Sequence, residues 1–340
     1  MIIKLIPNII FVLCLFLYNQ SLSQTKEFTI TIPESRDFTS QYKSIDLLDL
    51  RYDTLDNGFI LSNRKKTNIV LSLSFRNQLN KALYASDTAN AKHKLLLVLR
   101  KFKLVEKNDI DFEYGFCFMR AIIFANINEK YYRLQDFDTL ITLNGTDVTD
   151  TLFHDASTNF VRLIEAGIEI NPVDKIAYAY SDIVRIENDE KRIIPVYSTD
   201  KFTDGVYLSF HSFKNQKPDY AIEKIQYKWN TNPRIKVKNK EGRLITLTGN
   251  DVFGFVDKGV PYACTDHGSC IIERKNNELF YAAKSKVTND NAEYEISVAV
   301  AEKLGSATEK ALSAVKPPYG IFVSRIDYID GSFMRVKKIK

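Results

Sequence analysis

Hydrophobic residues follow three different spacings along this chain. Near the start they form one unbroken run, Ile9 to Tyr18, behind a single charge at Lys4. From position 25 to about 170, strand-like runs are mixed with two stripes at helical spacing. Beyond Pro172, short strand-like segments separated by turn residues take over.

In the middle region, Phe28 to Ile32 alternates and stops at Pro33, a short strand. Ile45 to Arg51 is a second strand, leading to the turn signal Asp56-Asn57-Gly58. Residues Thr67 to Ala85 are predicted as a helix, with Ile69, Leu73, Phe75, Leu79 and Leu83 on its apolar stripe. Three strands follow, Lys94 to Val105, Phe112 to Ala125 and Tyr131 to Leu143, the last two joined as a hairpin through Asn126 to Glu129. A second helix is predicted from the N-cap Asp150, with Leu152, Phe153, Ala156, Phe160, Leu163 and Ile164 inward and Gly167 as its stop. Strand, helix, three strands, helix is satisfied by one sheet carrying helices on one face.

The last region predicts strands at Arg192–Tyr197, Val206–Phe213, Ile222–Trp229, Arg234–Lys238, Leu244–Thr248, Phe253–Val256, Ser269–Arg274 and Leu279–Lys284. Turns such as Asp204-Gly205 and Lys258-Gly259 separate them, the spacing of an antiparallel β domain. Glu293 to Val315 reads as a helix closed by Pro317-Pro318, and a hairpin through Asp330-Gly331 ends the chain. The expected fold class is therefore α+β: an N-terminal sheet with helices, then a mainly antiparallel β domain with a C-terminal helix and hairpin. The expected segments are 1–24, 25–170, 171–286 and 287–340.

The opening run changes the picture most. A basic start, a short apolar core and the small-x-small exit Ser21-Leu22-Ser23 make an export signal, with cleavage expected after Ser23. The core is shorter than the roughly 20 residues a membrane span needs, so the mature chain is not expected to be an integral membrane protein. Cys14 sits in mid-core behind Leu13, the wrong place for a lipid anchor. The expected address is the periplasm or cell envelope, or outside the cell.

Composition adds bounds. Hydrophobic residues make up 45% and charged residues 26%, the balance of a folded globular chain rather than a disordered one. The formal charge of +5, less Lys4 with the leader, gives 5 − 1 = +4, and both signs are interleaved. Only the tail, Arg335, Lys337, Lys338 and Lys340, concentrates positive charge, and a solvated end explains it. Nucleic acid is not an expected partner; an envelope protein or a surface ligand is.

Candidate chemistry is sparse. Cys264, His267 and Cys270 could supply three ligands to a soft metal, but no fourth ligand is visible. In an oxidising compartment a Cys264–Cys270 disulfide is the competing reading, and two free thiols at a hairpin tip a third. Cys117, within Phe116-Cys117-Phe118-Met119, reads as a buried inert thiol. Ser209 and His211 approach a nucleophile–base pair, yet on a strand they merely share one face. No Gly-x-Ser-x-Gly elbow, His-Glu-x-x-His motif or phosphate-binding glycine loop occurs. Carboxylate pairs such as Asp189 with Glu190 fall where solvated turns are expected. No catalytic residue and no cofactor is assigned.

The stretch from Gly205-Val206-Tyr207-Leu208-Ser209-Phe210 to Asn215-Gln216-Lys217-Pro218 resembles a recurrent segment of uncharacterised exported proteins of Bacteroidota. Phe253-Gly254-Phe255 before Asp257 and Tyr262 is similar to their aromatic-Gly-aromatic turn, with Phe253 in place of the usual Trp. Asp327 to Phe333 is similar to their closing hairpin, whereas the Cys264–Cys270 loop is no part of the pattern. The resemblance implies an envelope protein and carries no established activity. More loosely, Leu48-Asp49-Leu50-Arg51 ahead of a helix resembles small envelope lipoprotein domains of the auxiliary-transport kind. The expected function is thus an exported, non-catalytic envelope protein that works by binding. The alternative is an exported hydrolase with its site near His211 or His267.

Overall fold

The computed structural model describes residues 25–32, 34, 39–62, 65–108, 112–172, 176–227, 232–286 and 319–339. The expected leader, the expected helix from Glu293 to Val315, Trp229 and Lys340 lie outside the described residues. The chain divides into two compact units at Tyr180/Ser181, and both mix a strand-rich sheet with a few helices. No helix among the described residues is long and apolar enough to cross a membrane.

The first unit contains β1 (Thr25–Phe28), β2 (Tyr42–Asp49), β3 (Gly58–Ser62), β4 (Lys65–Leu71), α1 (Phe75–Leu83), β5 (His93–Asn108), β6 (Glu113–Ile127), β7 (Lys130–Gly145), α2 (Thr149–Glu169) and β8 (Ala177–Tyr178). They form one mixed sheet in the order β1-β4-β3-β5-β6-β7-β8, with β2 lying parallel to β5 over His93–Leu99. The β6–β7 hairpin turns where expected, with Asn128 and Glu129 both at positive φ. Both helices share one core with the sheet. At its centre Phe28, Phe75, Phe102 and Phe160 pack together, with ring centroids 4.9 Å apart for Phe28–Phe102 and 5.1 Å for Phe75–Phe160. On β5 and β6 the alternate residues Leu96, Val98, Phe116, Ile122 and Phe124 are buried as well. Strands buried on both faces read as continuous apolar runs, which is how Leu95 to Leu99 reads.

This unit differs from the sequence expectation in several details: the strand expected at Phe28–Ile32 is Thr25–Phe28, and β3 and β8 were not among the expected strands. The single helix expected over Thr67–Ala85 is a strand, β4, followed by the shorter helix α1. Thr67 and Ile69 point inward at period two, and the β-branched Thr67, Ile69 and Val70 favour the pleated strand. Leu73, expected on the helical stripe, lies in the exposed turn between the two, while Phe75, Leu79 and Leu83 are buried at spacing four. Helix α2 starts one residue before Asp150, where the Asp147 carboxylate accepts the Thr149 N–H at 3.1 Å. Gly167 does not end α2. It lies within it against Ile123, where an added Cβ would come within 2.7 Å of Cδ1.

The second unit contains α3 (Tyr180–Val184), which straddles the division, then α4 (Ile186–Arg192), α5 (Pro195–Ser198), β9 (Gly205–Tyr207), α6 (Phe210–Lys214), β10 (Ile222–Gln226), β11 (Arg234–Lys238) and β12 (Leu244–Leu247). A 3₁₀ turn at Gly249–Asp251 leads to β13 (Gly254–Asp257), β14 (Val260–Thr265), β15 (Gly268–Lys275), β16 (Glu278–Lys286), β17 (Tyr319–Ile326) and β18 (Phe333–Lys338). Seven strands form an antiparallel sheet in the order β18-β17-β16-β15-β14-β13-β9. The small sheet β10-β11-β12 covers one face through Ile235, Val237, Val206 and Phe255. Helices α5 and α6 cover the other through Val196, Tyr197, Phe210 and Phe213.

Two expected strands are corrected here. Arg192–Tyr197 spans the end of α4 and the start of α5, because Pro195 at a first helical position begins a new turn. Val206–Phe213 is a strand only to Tyr207, after which Ser209 caps α6. One strand, β14, was absent from the expectation, because Pro261 interrupts its pattern.

Candidate functional site

Ser209 and His211 are not a pair. Ser209 is the N-cap of α6: its hydroxyl accepts the Ser212 N–H at 3.2 Å, and Ser212 Oγ answers toward the Ser209 backbone. His211 lies one turn before Asn215, whose side-chain nitrogen sits 3.3 Å from His211 Nε2. The hydroxyl that could have been a nucleophile therefore serves the helix start. The sequence signal for this was present, a Ser three residues ahead of another polar side chain, but the alternation of Val206 to Phe213 outweighed it.

The expected Cys264–Cys270 disulfide is corrected: all three described cysteines are free thiols. On the β14–β15 hairpin Cys264 stands opposite Ser269, and Cys270 opposite Ala263. Successive residues on a strand point to opposite faces, so the two sulfurs are on different sides of the sheet. Cys264 packs with the core under the small sheet, Cys270 with the core under α5 and α6. Burial pushes the Cys264 thiol up to about 12, with the neighbouring Cys270 adding to it. Burial also raises Cys117, fully enclosed in the first unit, to about 12. His267 stands edge-on to the Tyr319 ring, centroids 4.9 Å apart. Cys264, His267 and Cys270 thus point to three different surroundings, and no group of three or more His, Cys, Asp or Glu among the described residues is placed to hold a metal.

The residues of the Gly205–Pro218 and Phe253-Gly254-Phe255 segments converge instead on one aromatic core. Tyr207 meets Phe213 edge-on at 5.3 Å, and Phe253 lies 5.4 Å from both Phe210 and Phe213. Phe333 of β18 completes the cluster, 6.1 Å from Phe253. Gly205 holds φ +146° against Pro218, and a Cβ at Gly254 would fall 2.2 Å from the Tyr262 carbonyl oxygen. These positions are explained by packing alone.

The strongest concentration of charge was not foreseen. Lys191 of α4 is buried, its Nζ donating to Glu187 at 2.7 Å and to Glu278 at 2.6 Å. Arg325 of β17 donates through Nε to Glu278 at 2.8 Å and through its terminal nitrogen to Glu187 at 2.8 Å. Tyr328 places its ring 4.9 Å from Lys191 Nζ and gives its hydroxyl proton to Glu190 at 2.5 Å. Tyr197, whose ring meets Tyr328 edge-on, lies 5.6 Å from the ammonium, and burial, then Glu278, holds its phenol well above the usual range. Burial alone would lower the Arg325 pKa, but the Glu278 and Glu187 carboxylates outweigh it and raise it. Two cations and two carboxylates, alternating around a closed ring, tie α4 to the start of β16 and the end of β17. With Lys191 at 1% exposure, the ring offers a substrate no approach to its ammonium. One sequence signal was available: Glu187 and Lys191 are four apart, the spacing of a helical ion pair, and Asp189 with Glu190 lie in the same helix rather than in a turn.

The tail is also less solvated than expected. Arg335 is buried with its guanidinium 4.6 Å from the Phe322 ring, while Lys337 and Lys338 are exposed. In the first unit a shallow cleft of about 350 Å³ lies beside β8, lined by Arg133, Leu134, Gln135, Asp136, Ile176 and Tyr178. Its two charges, Arg133 and Asp136, bind each other at 2.6 Å.

No family model matches this chain, and no curated protein matches it. Among solved structures, the chain is similar to the crystal structure of protein XCC0632 from Xanthomonas campestris, described under the family model DUF330. The identity is 9%, the TM-score 0.27, and the match covers 49% of this chain and 99% of that one. At that TM-score the likeness does not establish a shared fold.

Proposed function

We propose that this chain is an exported, non-catalytic protein of the bacterial envelope that acts by binding. The observation that carries the reading is the set of partners taken by the side chains most capable of chemistry. Ser209 caps α6, Cys264 and Cys270 fill separate cores, and Lys191 and Arg325 are saturated by Glu187 and Glu278. Each is engaged in holding the fold. The export part of the reading rests on the Lys4 to Ser23 segment.

An exported hydrolase would need His211 or His267 to meet a nucleophile, and their neighbours in the structure are Asn215 and Tyr319. Two measurements on the full-length product test the proposal. Expressed in a Gram-negative host, the chain should be recovered from the envelope or periplasmic fraction with a mass beginning at Gln24. Screened against ester, peptide, glycoside and phosphoester substrates, the wild type should match the His211→Ala and His267→Ala variants. Cytoplasmic retention at full mass would overturn export, and turnover abolished by either substitution would overturn the non-catalytic reading.

A further inference from the structure

Strand β7 has the longest open edge among the described residues. Its partner on the outer side, β8, pairs only with Tyr131 and Tyr132. The register shift at Leu134 follows, and from Gln135 to Gly145 no strand among the described residues lies against it. The other sheet edges are short or guarded by charge. Edge strands β1, β9 and β12 have four, three and four residues, β2 carries exposed Lys43 and has its Ile45 N–H and carbonyl taken by the Asn80 side chain, β10 carries exposed Glu223 and Lys224, and β18 carries exposed Lys337 and Lys338.

The open stretch is complementary to itself. When two copies run antiparallel about a two-fold axis at Leu140, Asp136 faces Asn144, Asp138 faces Thr142, and Leu140 faces Leu140. On the helix side Phe137 faces Leu143 and Thr139 faces Ile141. No carboxylate meets a carboxylate, and each Asp is already balanced within its own chain. Arg133 binds Asp136, and Arg120 Nε lies 3.0 Å from Asp138. Phe137, Ile141 and Leu143 are only partly buried against the core of their own unit, so they retain apolar surface for a second copy. Opposed residues in antiparallel strands share a face, so both copies of α2 would stay on one side of the joined sheet.

We infer that β7 is the interface of a two-fold symmetric dimer, formed by antiparallel pairing of Gln135–Gly145 with the same segment of a second copy of this chain. The inference is independent of the binding role proposed above. Directly opposed Cα atoms would be about 4.5–5.5 Å apart at Leu140, within disulfide range. The two copies of Thr142 would be roughly 14 Å apart, beyond it. Leu140→Cys in the full chain, mildly oxidised, should therefore give a covalent dimer on a non-reducing gel, whereas Thr142→Cys and the wild type should not. Thr142→Asp, an exposed substitution that sets a carboxylate opposite Asp138, should raise the dimer dissociation constant about tenfold in light scattering, with the far-ultraviolet circular dichroism unchanged. A chain that stays monomeric at all concentrations without Leu140→Cys cross-linking would overturn the inference. So would Thr142→Cys cross-linking as readily as Leu140→Cys, or a dimer insensitive to Thr142→Asp. An extended partner peptide on the same edge would appear as the first of these results.

Discussion

The two units connect their buried charges in different ways. In the first, the core shared with the helices is aliphatic and aromatic, and the buried charges Arg51, Lys103, Glu106 and Arg120 lie apart from one another on or beside the strands. Arg51 forks onto Asp49 and Asn57, Lys103 reaches Asp56, and Arg120 reaches Asp138, each with at least one partner partly exposed. In the second, four ionised groups join in one ring between α4 and the strands β16 and β17, with Lys191 and Arg325 buried and Glu187 partly exposed. A long sheet under two long helices can close a core with apolar side chains alone. Helices of five and seven residues have too little apolar face for that, and α4 is instead fixed by its charges.

The comparison can be broken by substitution. Lys191→Ala leaves two carboxylates short of a cation, and removing one partner of a buried pair costs about 3–5 kcal/mol. Urea unfolding followed by hydrogen exchange at the amides of β16 and β17 should register that loss. A loss below about 1 kcal/mol would put the ring in the class of surface pairs. In the first unit Leu79→Ala should cost about 2–4 kcal/mol through a cavity, leaving the exchange of β16 and β17 in place. A shift of both transitions would contradict the separation of the two cores. Arg51→Ala should cost less, about 1–2 kcal/mol, since it removes charged hydrogen bonds to a partly exposed Asp49.

The smallest effect sharpens the comparison, because Glu106 is the buried carboxylate of the first unit. Its Oε2 accepts the Leu61 N–H at 2.7 Å. Burial raises its pKa above the usual 4.5, so ionisation costs stability in the folded state. That cost is full above the folded pKa and vanishes below the unfolded one, where both states are protonated. Glu106→Gln should therefore stabilise the first unit at neutral pH, with the gain fading as pH falls toward 4.5. Thermal melts at several pH values would show it, and a Gln variant less stable at pH 7 would contradict it.

How far the sequence was legible follows the same division. Strands β5 to β7 and helix α2 were readable because each is long and its period repeats many times. The error at Thr67–Ala85 arose where Ile69 and Phe75, one inward on a strand and one on a helix, fit a single stripe by accident of spacing. The second unit is built of pieces too short to establish a period: α5 has four residues and α6 five. Its charged ring joins residues far apart in the chain, Glu187 to Arg325, and no local pattern encodes that contact. The placement of Cys264 and Cys270 is hidden from the sequence for a related reason. Their nearness in sequence was visible, but the register that puts them on opposite faces depends on the two-residue turn at Asp266-His267.

The central claim is that the polar groups most capable of chemistry in the second unit serve as a strut between α4 and the sheet. A double-mutant cycle between Lys191 and Glu278 tests it most directly, using Lys191→Met, Glu278→Gln and the double variant in denaturant unfolding. Residues in one buried network couple by about 0.5–3 kcal/mol, and the account predicts a coupling in the upper part of that range, with the double variant less unstable than the sum of the singles. Additive losses would mean that the two side chains do not hold each other, and the strut would have to be abandoned.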